Sequence, residues 1–283
     1  IERWAFHHTR MVYMVTIVVT LISILGIFRI KSEGFIVDDL PKADKIYTDL
    51  KWFETNFGGV MPLEIIVDTK KKNGLMRSVK PIAAIDEFSS YLDSSDATAR
   101  PLSFVEGLKF AKQAFYDGDT LSYAIPYESD LAFIGPYLKA KKDSAPTTGP
   151  NAFNRLISNF IDSNKQKARI SVNMKDIGSA KLPELLAKFE TKANQIFDRA
   201  SYKISFTGSS VSFLEGSSFI INGLKESIFW AFLLISLCML YLFKSIKILF
   251  SSLIPNLIPL IVTAGVMGWA GIALKPSTVL VFS

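Results

Sequence analysis

The stretch that most constrains this chain runs from Ile228 to Ser283. An uncharged span, Ile228 to Phe243, is followed by the basic hinge Lys244-Ser245-Ile246-Lys247. A longer apolar run then extends from Ile248 to Leu274, interrupted by Pro255 and Pro259, and another opens at Thr278. A helix rises about 1.5 Å per residue, so about 20 apolar residues cross a hydrocarbon core of about 30 Å. The segment predicts a membrane hairpin with a further span beginning at its end.

Whatever precedes the hairpin must be compatible with a bilayer. The 283 residues are 49% hydrophobic but still 20% charged, a balance that suggests membrane spans joined to a soluble domain. A first span is expected between Met11 and Phe28, which contains no charge and is bracketed by Arg3 and Arg10 before it and Arg29 and Lys31 after it. A signal peptide has a shorter apolar core, about 7 to 15 residues, and ends at small residues; here the bulky basic Phe28-Arg29-Ile30-Lys31 follows. Basic residues in short loops mark the inside, which puts the Lys244 and Lys247 hinge there. Parity then places Arg3 and Arg10 inside and the long middle segment outside. The net charge of +6 contains no block of like charges, so a nucleic-acid partner is not expected. The only cysteine, Cys238, lies in an apolar span and cannot form a disulfide within the chain.

The middle segment reads as an α+β domain. Ile46, Leu50, Phe53 and Phe57 repeat at helical spacing before the stop Gly58-Gly59, predicting an amphipathic helix. Pro62 to Asp68 predicts a strand, and Ile82, Ile85, Phe88 and Leu92 mark one face of the next helix. A weaker strand is expected at Arg100 to Glu106, irregular chain at Asp117 to Asp130, short helices at Leu131 to Ala140 and Ala152 to Ser163, and a linker at Lys141 to Pro150. Ala168, Ile170, Val172 and Met174 alternate with polar residues, predicting a half-buried strand. Leu182, Leu185, Leu186, Phe189, Ala193, Ile196 and Phe197 trace a helical stripe, and Tyr202, Ile204 and Phe206 alternate again. Strand and helix in this order predict helices on one face of a small sheet, arranged as split βαβ (ferredoxin-like) units.

Catalytic chemistry finds little footing. Gly208-Ser209-Ser210 lacks the second glycine of a nucleophile elbow, and the domain contains no histidine to serve as base. Asp38-Asp39 and Asp117-Gly118-Asp119 do not continue with the ligand spacing of a calcium loop. His7 and His8 are adjacent, point about 100° apart on a helix, and have no third ligand nearby. No phosphate-binding glycine loop occurs. An enzyme, a metal site and a cofactor are therefore not expected.

The hairpin carries the more specific features. Ser212-Phe213-Leu214-Glu215 fits a capping box, which would start the second membrane helix outside the bilayer. Pro255 and Pro259 each lack a backbone donor and predict a kink near Asn256. Asn256 has two readings, an interhelical hydrogen bond or a functional polar group. Ala264, Gly268 and Gly271 share a face on which small residues let a second helix approach.

These residues carry a family resemblance. Tyr241-Leu242-Phe243-Lys244-Ser245, Ile254-Pro255-Asn256-Leu257-Ile258-Pro259-Leu260, Gly265-Val266-Met267-Gly268-Trp269 and Leu274-Lys275-Pro276-Ser277-Thr278 resemble the second to fourth helices of resistance-nodulation-division (RND) exporters, in the MMPL branch related to Patched-like sterol-sensing proteins. Asp39-Leu40-Pro41-Lys42, Asn56-Phe57-Gly58-Gly59 and Gly208-Ser209-Ser210 extend the resemblance along nearly the whole chain.

The resemblance implies a first membrane helix within 1-31 and a periplasmic porter domain over 32-211. It further implies a second helix with periplasmic extension over 212-243, a cytoplasmic hinge at 244-247, a third helix at 248-274 and the start of a fourth at 275-283. The implied function is proton-driven export of lipids or other hydrophobic molecules from a bacterial inner membrane, in the N-terminal half of a longer polypeptide. The proton-relay acid would lie beyond Ser283, so no catalytic residue is assigned. Pro255, Asn256, Pro259, Gly265, Gly268 and Gly271 are the structural or coupling candidates. A homo-oligomer or a periplasmic partner protein stays open, as does a non-pumping, sterol-sensing-like role in lipid binding or membrane assembly.

Overall fold

The computed structural model describes residues 9–31, 34–35, 40–130, 157–275 and 277–278. The expectations for His7 and His8, Asp38-Asp39, the 131–140 helix, the 141–150 linker and most of the 152–163 helix lie outside these residues. The chain divides into two compact units. One comprises Ile1–Phe35, Gly178–Ala180 and Glu215–Ser283, and the other Ile36–Ile177 and Lys181–Leu214.

Among the described residues three helices are long and apolar enough to cross a membrane: α1 (Thr9–Ile27) and α7 (Ile246–Ala270) in the first unit, and α6 (Ser209–Phe243), which belongs to the second unit up to Leu214 and to the first from Glu215. α6 is 35 residues long, well beyond the about 20 that a bilayer requires. It begins at Ser209, one turn before the expected cap; Ser212 lies inside the first turn, where its N–H donates to the Gly208 carbonyl at 3.0 Å. The hinge is shorter than expected, because Ile246 and Lys247 already belong to α7, leaving Lys244 and Ser245 as the turn. α7 is helical through both prolines and stops at Ala270 rather than Leu274, because Gly271 takes a left-handed conformation (φ 70°).

The second unit is built on a three-stranded sheet in the order β2-β1-β3, with β1 (Met61–Asp68), β2 (Lys167–Met174) and β3 (Lys203–Thr207). β1 runs antiparallel to both neighbours, so β2 and β3 point the same way on either side of it, joined through α5 (Leu182–Ile196). Alternation decides which face is buried: Met61, Leu63, Ile65 and Val67 of β1 lie beside Met174, Val172, Ile170 and Ala168 of β2. Against this face α3 (Val79–Asp93) contributes Ile82, Ile85, Phe88 and Leu92, and α5 contributes Leu182, Phe189 and Ala193. Phe88 and Phe197 meet edge to face at 5.8 Å, within the favoured aromatic range.

One local expectation is corrected, and another is met by a helix that stays exposed. Arg100 to Glu106 is not a strand: Thr98 and Leu102 make only single bridges to β2, and α4 (Phe104–Phe115) begins after the N-cap Ser103. The helix predicted from Ile46 to Phe57 forms as α2 (Lys45–Phe57), capped by Asp44 and stopped by Gly58, but it has no buried residue. Ile46, Phe53 and Phe57 face outwards, while Glu54 on another side accepts the Asp176 N–H at 2.8 Å.

Candidate functional site: the seat of α1 on α7

α1 and α7 pack against each other through small residues. Ser23 and Gly26 of α1 and Gly265, Met267 and Gly268 of α7 are the buried positions of the two helices. A side-chain carbon at Gly268 would fall on the Gly26 carbonyl, and one at Gly265 on the Ser23 backbone. Backbones that close leave no room for any larger residue, which is the packing that small residues allow within a membrane. Trp269 completes the seat: its indole N–H donates to the Ile22 carbonyl at 3.0 Å, and the Arg29 guanidinium lies 5.0 Å from its ring centroid.

Of the candidate residues, Gly265 and Gly268 lie in this seat. Gly271 does not: open space surrounds it, and its place is the helix stop. The buried glycine pair is thus Gly265 and Gly268, while Ala264 is only half-buried. Pro255, Asn256 and Pro259 are exposed on α7, away from the seat. The Asn256 amide donates to the Ser252 carbonyl of its own helix at 3.3 Å, and among the described residues it has neither an interhelical partner nor a shared site with the glycines. The hydroxyls of Thr16, Thr20, Ser23 and Thr263 likewise bond the carbonyl one turn back. In hydrocarbon this removes the cost of an unpaired polar group. Further along the two helices, Ile17, Thr20 and Leu21 face Ile254, Leu257 and Ile261 across an open apolar groove of ≈ 350 Å³.

No protein-family model matches the chain, and no curated protein matches it.

The second unit holds a charge network that the sequence did not disclose. Glu106 accepts from Arg100 at 2.7 Å and from the Tyr123 hydroxyl at 2.6 Å, while Lys109 pairs with both Asp86 and Glu106. Burial works to raise the Glu106 carboxyl, but the bonds from Tyr123, Arg100 and Lys109 outweigh it and hold it below its ordinary value. Burial also raises Tyr123, reinforced by the Glu106 carboxylate. Beside this cluster, buried Lys112 pairs with Asp130 at 3.3 Å, donates to the Ile125 carbonyl and lies 4.3 Å from the Tyr127 ring centroid. Every charge here has an opposite partner, which is the pattern of a cross-link between segments rather than of a poised acid or base. Among the described residues no cluster of three His, Cys, Asp or Glu side chains has metal-binding spacing.

The Gly208-Ser209-Ser210 motif has a structural use. β3 stops at Thr207, opposite Glu64, so the Pro62 carbonyl lies past its last residue. Fully buried Ser210 supplies the missing donor, Oγ to Pro62 O at 2.9 Å. Gly208, at φ 102°, passes so near Pro62 and Glu64 that a side chain would collide with their backbone.

Proposed function

We propose that this chain is the N-terminal half of a proton-driven RND-type exporter of the MMPL, Patched-like branch, moving lipids or other hydrophobic molecules across a bacterial inner membrane. The observation that carries this reading is the order of parts: one membrane-length helix, an α+β domain, and then two membrane-length helices joined by a two-residue turn. Within the domain, β2 and β3 run parallel on either side of β1 and are joined by α5, which supports a split βαβ porter fold on the periplasmic side. The unbroken α6 offers a route by which helix movement in the membrane reaches the end of β3. The glycine seat holds α1 and α7 as one body against which α6 moves.

The test uses the natural polypeptide reconstituted in liposomes. Transfer of a fluorescent lipid between leaflets is followed with and without an imposed proton gradient. Transfer that requires the gradient and stops on adding a protonophore supports the exporter. Lipid binding with no response to the gradient removes the pump and leaves the lipid-binding or scaffold role.

A further inference from the structure

On α6, ahead of its apolar stretch, a cavity of ≈ 130 Å³ is lined almost wholly by hydrogen-bonding side chains: Ser179, Ser217, Ser218, Asn222 and Lys225, with Ile221. Its volume is several times the about 30 Å³ that one water takes up in the liquid. Positions 217, 218, 221, 222 and 225 recur at helical spacing, so one face of α6 forms the wall. Ser179 comes from the short strap Gly178–Ala180. Its N–H donates to the Gly34 carbonyl and its Oγ accepts from the Gly34 N–H, both at 2.8 Å. The Ser179 oxygen is thus engaged as an acceptor, and its proton is left to donate.

Ser217 is the decisive member. It is 3% exposed, yet its hydroxyl has no hydrogen-bond partner among the described residues. Asn222 and Lys225 also have no polar partner among the described residues. Among the described residues no carboxylate lines the cavity; Glu215 and Glu226 are on the same helix but outside the lining. The buried Ser217 hydroxyl and the exposed Ser218, Asn222 and Lys225 donors around one cation, with no carboxylate among the described lining residues, describe a receptor for negatively charged oxygen.

We propose that this cavity binds an oxyanion, the phosphate or carboxylate head group of an amphiphile whose chain follows the apolar surface beginning at Ile228. Lys225 precedes that surface by one helical turn, where a basic side chain suits a head group at the membrane boundary. The donor set alone carries this inference, which holds whether or not the chain is an exporter.

The full chain in a neutral detergent is titrated with short-chain phosphatidic acid, with the matching diacylglycerol, and with inorganic phosphate, and occupancy is read by native mass spectrometry. Phosphatidic acid binds and diacylglycerol does not, while Lys225→Gln and Ser217→Ala each weaken binding by about tenfold. Phosphate that displaces the amphiphile at similar concentration assigns the site to a soluble oxyanion. Displacement by phosphatidic acid alone assigns it to a lipid head group. Equal binding of diacylglycerol, no binding of either anion, or affinity unchanged in both variants overturns the proposal. Asn222→Ala at the exposed edge of the site replaces Ser217→Ala if that variant does not fold.

Discussion

At the scale of single residues, the strongest constraints are Gly268 on the Gly26 carbonyl and Ser210 on the Pro62 carbonyl. Gly268→Leu has nowhere to place its side chain without separating α1 from α7, an overpacking loss of about 1–3 kcal/mol or more. Gly271→Ala meets no neighbour and costs only the left-handed backbone penalty, about 1 kcal/mol. Thermal unfolding in detergent therefore ranks Gly268→Leu well below Gly271→Ala; equal melting temperatures would remove the glycine seat. Ser210→Ala leaves a buried carbonyl unpaired, at about 1–3 kcal/mol, detected as a lower denaturation midpoint for the second unit. The presence of a small-residue face on α7 was legible in the sequence. Which residues form it was not, because spacings of three and four fit a helix equally well. Only the partner, with Ser23 and Gly26 in contact, selects Gly265 and Gly268 over the Ala264, Gly268 and Gly271 row.

At the scale of elements, periodicity located the strands and α3, α5 and the membrane helices, since each buries a regular stripe against something that the chain itself provides. It found α2 without showing that its stripe stays exposed, and it missed α4, for opposite reasons. α2 has a regular apolar stripe that stays exposed: Phe53 stacks on Phe57 at 4.3 Å and Trp52 lies edge-on to Phe57, with no partner face beyond them among the described residues. α4 buries Phe104, Val105 and Leu108, but the next residue of its stripe is Lys112, a charge that pattern reading discounts. Lys112 is buried because Asp130, the Ile125 carbonyl and the Tyr127 ring receive it, and those partners are 13 to 18 residues away. Two substitutions separate these cases. Phe53→Ser changes the stability of the second unit by less than about 0.5 kcal/mol, as at an exposed site, whereas Phe88→Ala costs about 3–5 kcal/mol. Chemical denaturation of both variants checks the contrast, and a large loss for Phe53→Ser would mean that α2 belongs to the core.

For the whole molecule, acid acts on the second unit through its paired carboxylates. Glu106 and Asp130, both in the second unit, are held below their ordinary values: burial opposes this, but hydrogen bonds and nearby cations prevail. A carboxylate whose folded value is depressed adds stability that is complete above its unfolded value, about 4, and lost as the pH falls through the folded one. Melting temperature of the second unit is therefore level from pH 7 to about 5 and declines as the pH drops further toward 3, and Glu106→Gln flattens the decline while lowering stability at neutral pH. A variant with an unchanged acid slope would show that the network does not set it. Strand order has a further consequence, in time. β1 is the centre of the sheet, but it ends at Asp68 while its neighbours begin at Lys167 and Lys203. At about 5–20 residues per second, synthesis of the intervening stretch of about 100 residues takes roughly 5–20 seconds. During that interval a strand carrying Leu63, Ile65 and Val67 has no partner on either edge, which calls for a chaperone or translocation machinery to shelter it. β3, the last strand to arrive, is complete only one residue before α6 begins.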